Sequence, residues 1–138
     1  MPEEKISFDE IKETFEFLDD WEDRYKYIID LGKQLAPLAQ EEMNDANKVR
    51  GCQSQVWLVP TVDADGIIHL RGDSDAFIVK GLVAVLLAIY SGKTAPDVLA
   101  VDAKAILEKL DLAAHLSPMR ANGLFSMVER IRTIAEEG

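Results

Sequence analysis

The chain predicts an α+β fold, with two amphipathic helices, a small antiparallel sheet of about three strands, and a helical second half. Three observations carry that expectation. Apolar residues recur at helical spacing in two stretches before residue 36. Strand-forming residues crowd two runs, 54–62 and 67–71, on either side of an Asp-Gly turn. From Asp75 onward the apolar period is helical to the end. No repeat, linker or low-complexity stretch intervenes, so residues 1–138 read as one domain.

The elements follow in order. Ser7 with Glu10 three residues on makes a capping box, and Ile11, Phe15 and Leu18 keep helical spacing behind it. Asp19 and Asp20 interrupt that helix and can cap a second. There Trp21, Tyr25, Ile28, Gly32 and Leu35 share a face, and Pro37 stops it. Residues 37–46 read as a polar loop with room for one helical turn. Asn47 to Arg50 is a short strand candidate. Ser54 to Val62 carries Val56, Trp57, Val59, Thr61 and Val62, and Pro60 within it implies an edge or a bulge. Asp63, Ala64, Asp65 and Gly66 form the turn, and Ile67 to Arg71 returns.

Ser74 or Asp75 is expected to cap the next helix, which is apolar nearly all round from Phe77 to Tyr90 and therefore buried. Gly92 ends it. Thr94 with Asp97 opens a short turn, and Asp102 to Leu110 is a further helix. Ser117 with Pro118 at the first helical position starts the last one, which carries Leu124, Met127 or Val128, Ile131 and Ile134. Gly123 inside it costs about 1 kcal/mol relative to alanine, so close packing on another backbone, the cysteine loop, is its expected reason.

Composition bounds the function. The chain has 48% hydrophobic and 29% charged residues, as an ordinary globular protein does. Its longest apolar run, Leu82 to Tyr90, falls short of the roughly 20 residues that span a bilayer. The start, MPEEKISFDE, is neither a secretory signal nor a basic transit peptide, so a cytoplasmic protein without membrane attachment is expected. Net charge is −10, with no basic run, which argues against a nucleic-acid partner. Of the 25 acids, 14 lie in the first 45 residues. That is either a solvated helical surface or a field that steers toward a basic partner.

Cys52 is the only cysteine, and His69 and His115 are the only histidines. An internal disulfide, a zinc site of Cys and His, and a cluster held by this chain alone are all excluded. The thiol lies between two strand candidates in VRGCQSQVW, beside small and polar residues, and reads as a loop tip. Gly51 permits a tight turn and leaves space beside the sulfur. Arg50 and Lys48 would favour the thiolate if they point its way, and Gln53 and Ser54 can donate hydrogen bonds to it. These residues alone leave both a structural and a reactive cysteine open. A lone exposed thiol suits sulfur transfer between proteins, which needs one acceptor cysteine, close approach and shelter for the product. Trp57 and the following helix are expected to give that shelter. A core role for Trp57, a surface role for His69 and a structural role for His115 are the plainer readings.

The stretch VRGCQSQVWLV, then GDSDAFIVKGLVAVLL, then LSPMRANGLFSMVERI resembles the SufE-type sulfur acceptor proteins, including the CsdE branch. The likeness runs from about Trp21 to about Ile134, with the three blocks in order and at the right spacing. It implies a small curled antiparallel sheet covered by helices, similar to the IscU-type scaffold proteins. It also implies that Cys52 takes persulfide sulfur from a cysteine desulfurase of the SufS or CsdA type, stimulates that enzyme, and delivers sulfur to SufB in the SufBCD scaffold. Pyridoxal phosphate belongs to the desulfurase; no cofactor or metal is expected on this chain.

By the same resemblance Asp75 matches an acidic position beside the cysteine loop, and Arg120 and Asn122 match polar positions facing it. Arg50, Gly51, Cys52, Gln53 and Asp75 are then the partner-binding residues. Gly51, Gln53, Ser54, Trp57, Asp75, Arg120 and Asn122 support the loop. Arg120 near a helix start opposes the helix dipole, so a bond to a backbone carbonyl or to Asp75 is expected. Cys52 is expected to be partly sheltered at rest and to swing outward on docking. The protein is expected to be a monomeric accessory protein, not an enzyme. The alternatives are a single-cysteine thiol redox enzyme, a non-catalytic desulfurase regulator, and a cluster scaffold, for which one cysteine is too few.

Overall fold

Ser7 caps the first helix as its spacing predicts: its hydroxyl accepts from the Glu10 amide at 3.2 Å, and α1 runs Phe8–Phe17. The structure, a computed structural model, describes residues 7–51 and 54–137, so Cys52 and Gln53 lie outside the described residues. Asp20 caps α2, Trp21–Lys33, by accepting from the Glu22 amide. Arg24 on α2 donates to the Phe15 and Leu18 carbonyls, both at 2.8 Å, so it satisfies acceptors that the end of α1 leaves open. Its guanidinium also lies over the Phe15 and Trp21 rings. The second helix ends at Lys33 with Gln34 as its C-cap, before Pro37 is reached. A single 3₁₀ turn, Gln40–Glu42, occupies the following loop.

The sheet has three strands, β1 Val56–Val62, β2 Ile67–Ser74 and β3 Lys93–Thr94, all antiparallel in the order β1-β2-β3. Pro60 is therefore on an edge strand, where its missing N–H costs least. The Asp63 carboxylate organises the hairpin turn by accepting from the Asp65 and Ile67 amides, and its second oxygen meets His69 Nε2 at 3.0 Å.

The expected strand at 47–50 is corrected to a single bridge, Lys48 to Trp57. Two backbone bonds flank it, Val49 N–H to the Val56 carbonyl at 2.8 Å and Leu58 N–H to the Asn47 carbonyl at 2.9 Å. Turns before it and a glycine turn after it leave no length for a strand. The third strand comes instead from the short stretch after α3.

The helix α3, Phe77–Tyr90, is the buried centre. Its N-cap is Ala76, with no side-chain cap, where the sequence favoured Ser74 or Asp75. The Asp75 carboxylate is engaged elsewhere, as described below. One side of α3 packs on the inner face of the sheet and the other on α2. At the α2 crossing Gly32 meets Gly81 so closely that a Cβ on Gly32 would stand 2.7 Å from the Gly81 nitrogen.

Beyond α3, Thr94 caps α4, Ala95–Ala100, and Asp102 caps α5, Ala103–Lys109. Pro118 opens α6, Pro118–Glu137, which buries Leu124, Met127, Val128 and Ile131. His115 stacks on Trp21 at 3.9 Å, and its carbonyl accepts from the Tyr25 hydroxyl, in keeping with a structural role. No helix of the described residues is long and apolar enough to cross a membrane.

Candidate functional site around the Cys52 loop

The Val49–Val56 backbone bond closes a neck, and the described residues 50–51 and 54–55 flank Cys52 beyond it. The flank leading to this neck is tightly held. Asn47 donates to the Glu42 carbonyl at 2.8 Å, and its amide donates to the Asn44 side chain at 3.0 Å. Arg71 of β2 grips the Glu42 carboxylate through two nitrogens. That contact, with the Ala39 amide, holds the Glu42 carboxyl below the usual carboxylate range. Arg130 of α6 donates to the Ala46 carbonyl.

The loop then enters through Gly51, whose φ of +88° is a left-handed conformation that favours glycine. A Cβ there would stand 2.6 Å from Ser126 Oγ and 3.3 Å from Ser126 Cβ, so the residue 51 backbone rests on α6.

At the exit Asp75 makes two bonds to one residue. Its carboxylate accepts from the Gln55 amide at 3.0 Å, and its own amide donates to the Gln55 carbonyl at 3.2 Å. This explains why Asp75 does not cap α3. The neighbouring Asp73 is buried: its carboxylate meets Lys80 Nζ at 3.2 Å and accepts from the Leu38 amide at 3.4 Å. That pair ties the end of β2 to the first turn of α3, which fixes the base from which Asp75 reaches the loop.

Beside the exit lies a cavity of about 60 Å³, lined by Ser54, Val79, Leu82, Arg120, Gly123, Leu124, Met127 and Met119. Its lining comes from Ser54, α3 and α6, and both polar and apolar atoms face the space. Its one charged lining residue is Arg120. Such a space takes a few atoms. Two exposed apolar residues lie on the same elements: Met119 at the cavity, 56% exposed, and Phe77, 74% exposed, two residues before Val79.

Residues 9–135 of this chain match the model of the SufE family, described as an Fe-S metabolism associated domain. The chain belongs to the SufE family. Its relatives include uncharacterized SufE-like proteins of Rhizobium etli and Rhizobium meliloti. They are 54% and 52% identical over 133 residues, which cover 94% of this chain and 90% and 95% of theirs. The solution structure of a hypothetical protein from Thermus thermophilus superposes with a TM-score of 0.75 at 20% identity, over 94% of this chain and 93% of that one. That likeness shows the shared α+β fold.

Within this SufE-family chain the sequence-predicted site residues divide. Gly51, Ser54 and Asp75 frame the loop, and Arg120 lines the cavity. The expected bond from Arg120 to Asp75 or a carbonyl is absent: among the described residues no hydrogen bond or ion pair engages its guanidinium. Asn122 is exposed and lies about 200° around α6 from Arg120, away from the cavity wall. Trp57 is half-buried, and strand alternation puts it opposite Val56 and Leu58, on the outer face of the sheet, so it is not core. Arg50 is exposed beside the neck.

Three SufE-family residues escaped the sequence reading. Asp73 and Lys80 look like surface charges in sequence and have no periodic signal. Ser126 had one: with Gly123 it makes a pair of small residues three apart on one helix face.

Proposed function

We infer that Cys52 accepts sulfur from the persulfide of a cysteine desulfurase and passes it on to iron–sulfur cluster assembly. The thiolate of Cys52 attacks the outer sulfur of the donor's persulfide. The donor's sulfur–sulfur bond breaks, the donor cysteine leaves as a thiolate, and the new persulfide is on Cys52. No electrons are gained or lost overall, so no oxidant or second thiol is needed. In this reading the chain is an accessory protein without a resident cofactor, monomeric and cytoplasmic. A SufS- or CsdA-type desulfurase is the donor, and SufB of the SufBCD complex the recipient.

The observation that carries the reading is the framing of the single cysteine's loop in a SufE-family chain. The neck is closed by Val49 and Val56, and the exit is held by Asp75. A small cavity of mixed polar and apolar lining opens beside Ser54, and its Arg120 has no partner among the described residues. A guanidinium without a carboxylate partner is suited to a terminal sulfur anion. Exposed Phe77 and Met119 are suited to a partner that covers the loop.

The test is intact-mass spectrometry of the protein mixed with each desulfurase type and cysteine. A reducible gain of one sulfur on wild type, absent in Cys52→Ser, is expected. No adduct with an active desulfurase present overturns the reading. Full stimulation of the desulfurase by Cys52→Ser points to a docking regulator, and Cys52-dependent peroxide consumption to a redox enzyme.

A further inference from the structure

We propose that Asp73 and Lys80 form a positioning pair that sets where Asp75 meets Gln55; the consequence for sulfur transfer rests on the sulfur-acceptor reading, the geometry does not. Asp73 is the only charged residue that is buried among the described residues. Its Oδ1 meets Lys80 Nζ at 3.2 Å and accepts from the Ser74 amide at 2.8 Å, and its Oδ2 accepts from the Leu38 amide at 3.4 Å. Stability alone does not call for a charge there, since an apolar pair of similar volume is often as stable as a buried ion pair or more so. What the ion pair adds is a fixed contact between a strand end and a helix.

The corner between β2 and α3 needs such a contact. The sheet ladder ends at Ser74, and α3 starts only at Phe77. Side chains span the gap: Ser74 Oγ accepts from the Ala76 amide at 3.3 Å, and the Asp75 carboxylate accepts from the Gln55 amide at 3.0 Å. Lys80 holds both ends of this corner. Its own amide donates to the Ala76 carbonyl at 2.8 Å, while its Nζ reaches back to Asp73. Asp75 lies between those two anchors. Its amide and its carboxylate both engage Gln55, so the two bonds form together only while the corner keeps its shape.

The experiment measures hydrogen exchange by NMR in the full chain, at the Gln55 amide and at the core amides of Val83 and Ile131, alongside urea denaturation. Lys80→Met is expected to speed exchange at Gln55 by about fivefold or more beyond any change at the two core amides. Lys80→Arg keeps a cation that bonds carboxylates, and is expected to stay within about twofold of wild type. In an Asp75→Ala background Lys80→Met is expected to add less than about twofold, because the contact it positions is already gone. If Lys80→Met does not fold, Asp73→Asn combined with Lys80→Met replaces it on the same criterion. That double variant keeps an acceptor for the Leu38 and Ser74 amides and removes only the tie to α3. Exchange at Gln55 that moves no more than the core amides in a folded variant overturns the proposal. So does the same acceleration with Asp75 already replaced, or a Lys80→Arg chain as fast as Lys80→Met.

The persulfide assay separates this proposal from the function. If the wild-type chain takes no sulfur while Gln55 exchange still depends on Lys80 through Asp75, the acceptor reading fails and the positioning role stands. If sulfur is accepted and Gln55 exchange ignores Lys80, the reverse holds.

Discussion

Gly32→Ala sets two known effects against each other, and the structure decides the sign. Alanine is the better helix former by about 0.8–1 kcal/mol, and less than that near a helix end such as this one, one residue before Lys33 closes α2. Against that gain, the new Cβ would stand 2.7 Å from the Gly81 nitrogen, 2.9 Å from the Lys80 carbonyl carbon and 3.0 Å from Gly81 Cα. All three are backbone atoms of α3, which no rotamer change can clear. Restoring ordinary contact near 3.5 Å requires the helices to part by roughly 0.5–0.8 Å. Adding a methyl to a packed crossing costs about 1–3 kcal/mol. The net expectation is a loss of about 1–2 kcal/mol, or roughly 4–8 °C in Tm for a chain of this size. Urea denaturation followed by far-ultraviolet circular dichroism measures it. Since α2 can move outward while α3 stays on the sheet, sulfur uptake per folded molecule should not change. A variant as stable as wild type, or more so, refutes the claim that the two backbones are in hard contact.

Three further outcomes follow from the same structure. Asp75→Ala should speed hydrogen exchange at the Gln55 amide by about tenfold and cost about 0.5–1.5 kcal/mol, since an exposed loop loses its acceptor while the core is untouched; unchanged exchange would show that the carboxylate does not hold the loop. Glu42, kept acidic by Arg71, lends stability that is present at neutral pH and lost as pH falls through its lowered pKa. Wild type and Glu42→Gln should therefore differ at pH 7 and converge below the ordinary glutamate value of about 4.3. Tyr90 has a buried hydroxyl without a partner among the described residues, and burial raises its pKa. Its folded state holds the proton more tightly than the unfolded chain, so stability falls above about pH 10 in wild type and not in Tyr90→Phe. At neutral pH Tyr90→Phe should be as stable or up to about 1 kcal/mol more so, and a loss larger than that would reveal a hydrogen bond.

Local signals made most of the fold legible. The caps at Ser7, Asp20, Thr94 and Asp102, the turn at Asp63–Gly66 and the all-apolar α3 are each encoded within a few neighbouring residues. Readings that depended on long-range partners fared worse. Asp75 has the sequence of an N-cap, but a tertiary bond to Gln55 takes its carboxylate. Residues 47–50 alternate like a strand, yet the pairing surface on β1 extends only from Trp57 to Lys48 with its two flanking bonds. Trp57 is large enough to be core, and its alternation with the buried Val56 and Leu58 puts it on the other face of the sheet. Arg120 lines the cavity, and Asn122 lies one turn before Ser126, the residue that Gly51 meets.

The restraints on the cysteine loop differ in kind from those on the rest of the molecule. Ile11, Ile28, Leu58, Val83 and Ile131 are held by burial in one continuous core. The described part of the loop is held by one backbone bond at its neck, by Asp75 on Gln55, and by Gly51 on Ser126, none of which buries a large apolar side chain. Each bond of this kind is worth about 1 kcal/mol net, small against the roughly 5–15 kcal/mol that holds a domain together. Regions at that low end can rearrange without global unfolding. A docking partner that gained a few kcal/mol from covering Phe77 and Met119 would supply enough to displace them. The flanks, gripped by Arg71, Arg130 and the Asp73–Lys80 pair, would stay in place. Contacts of that size at Gly51 and Gln55 can therefore break while the flanks and the core keep their places.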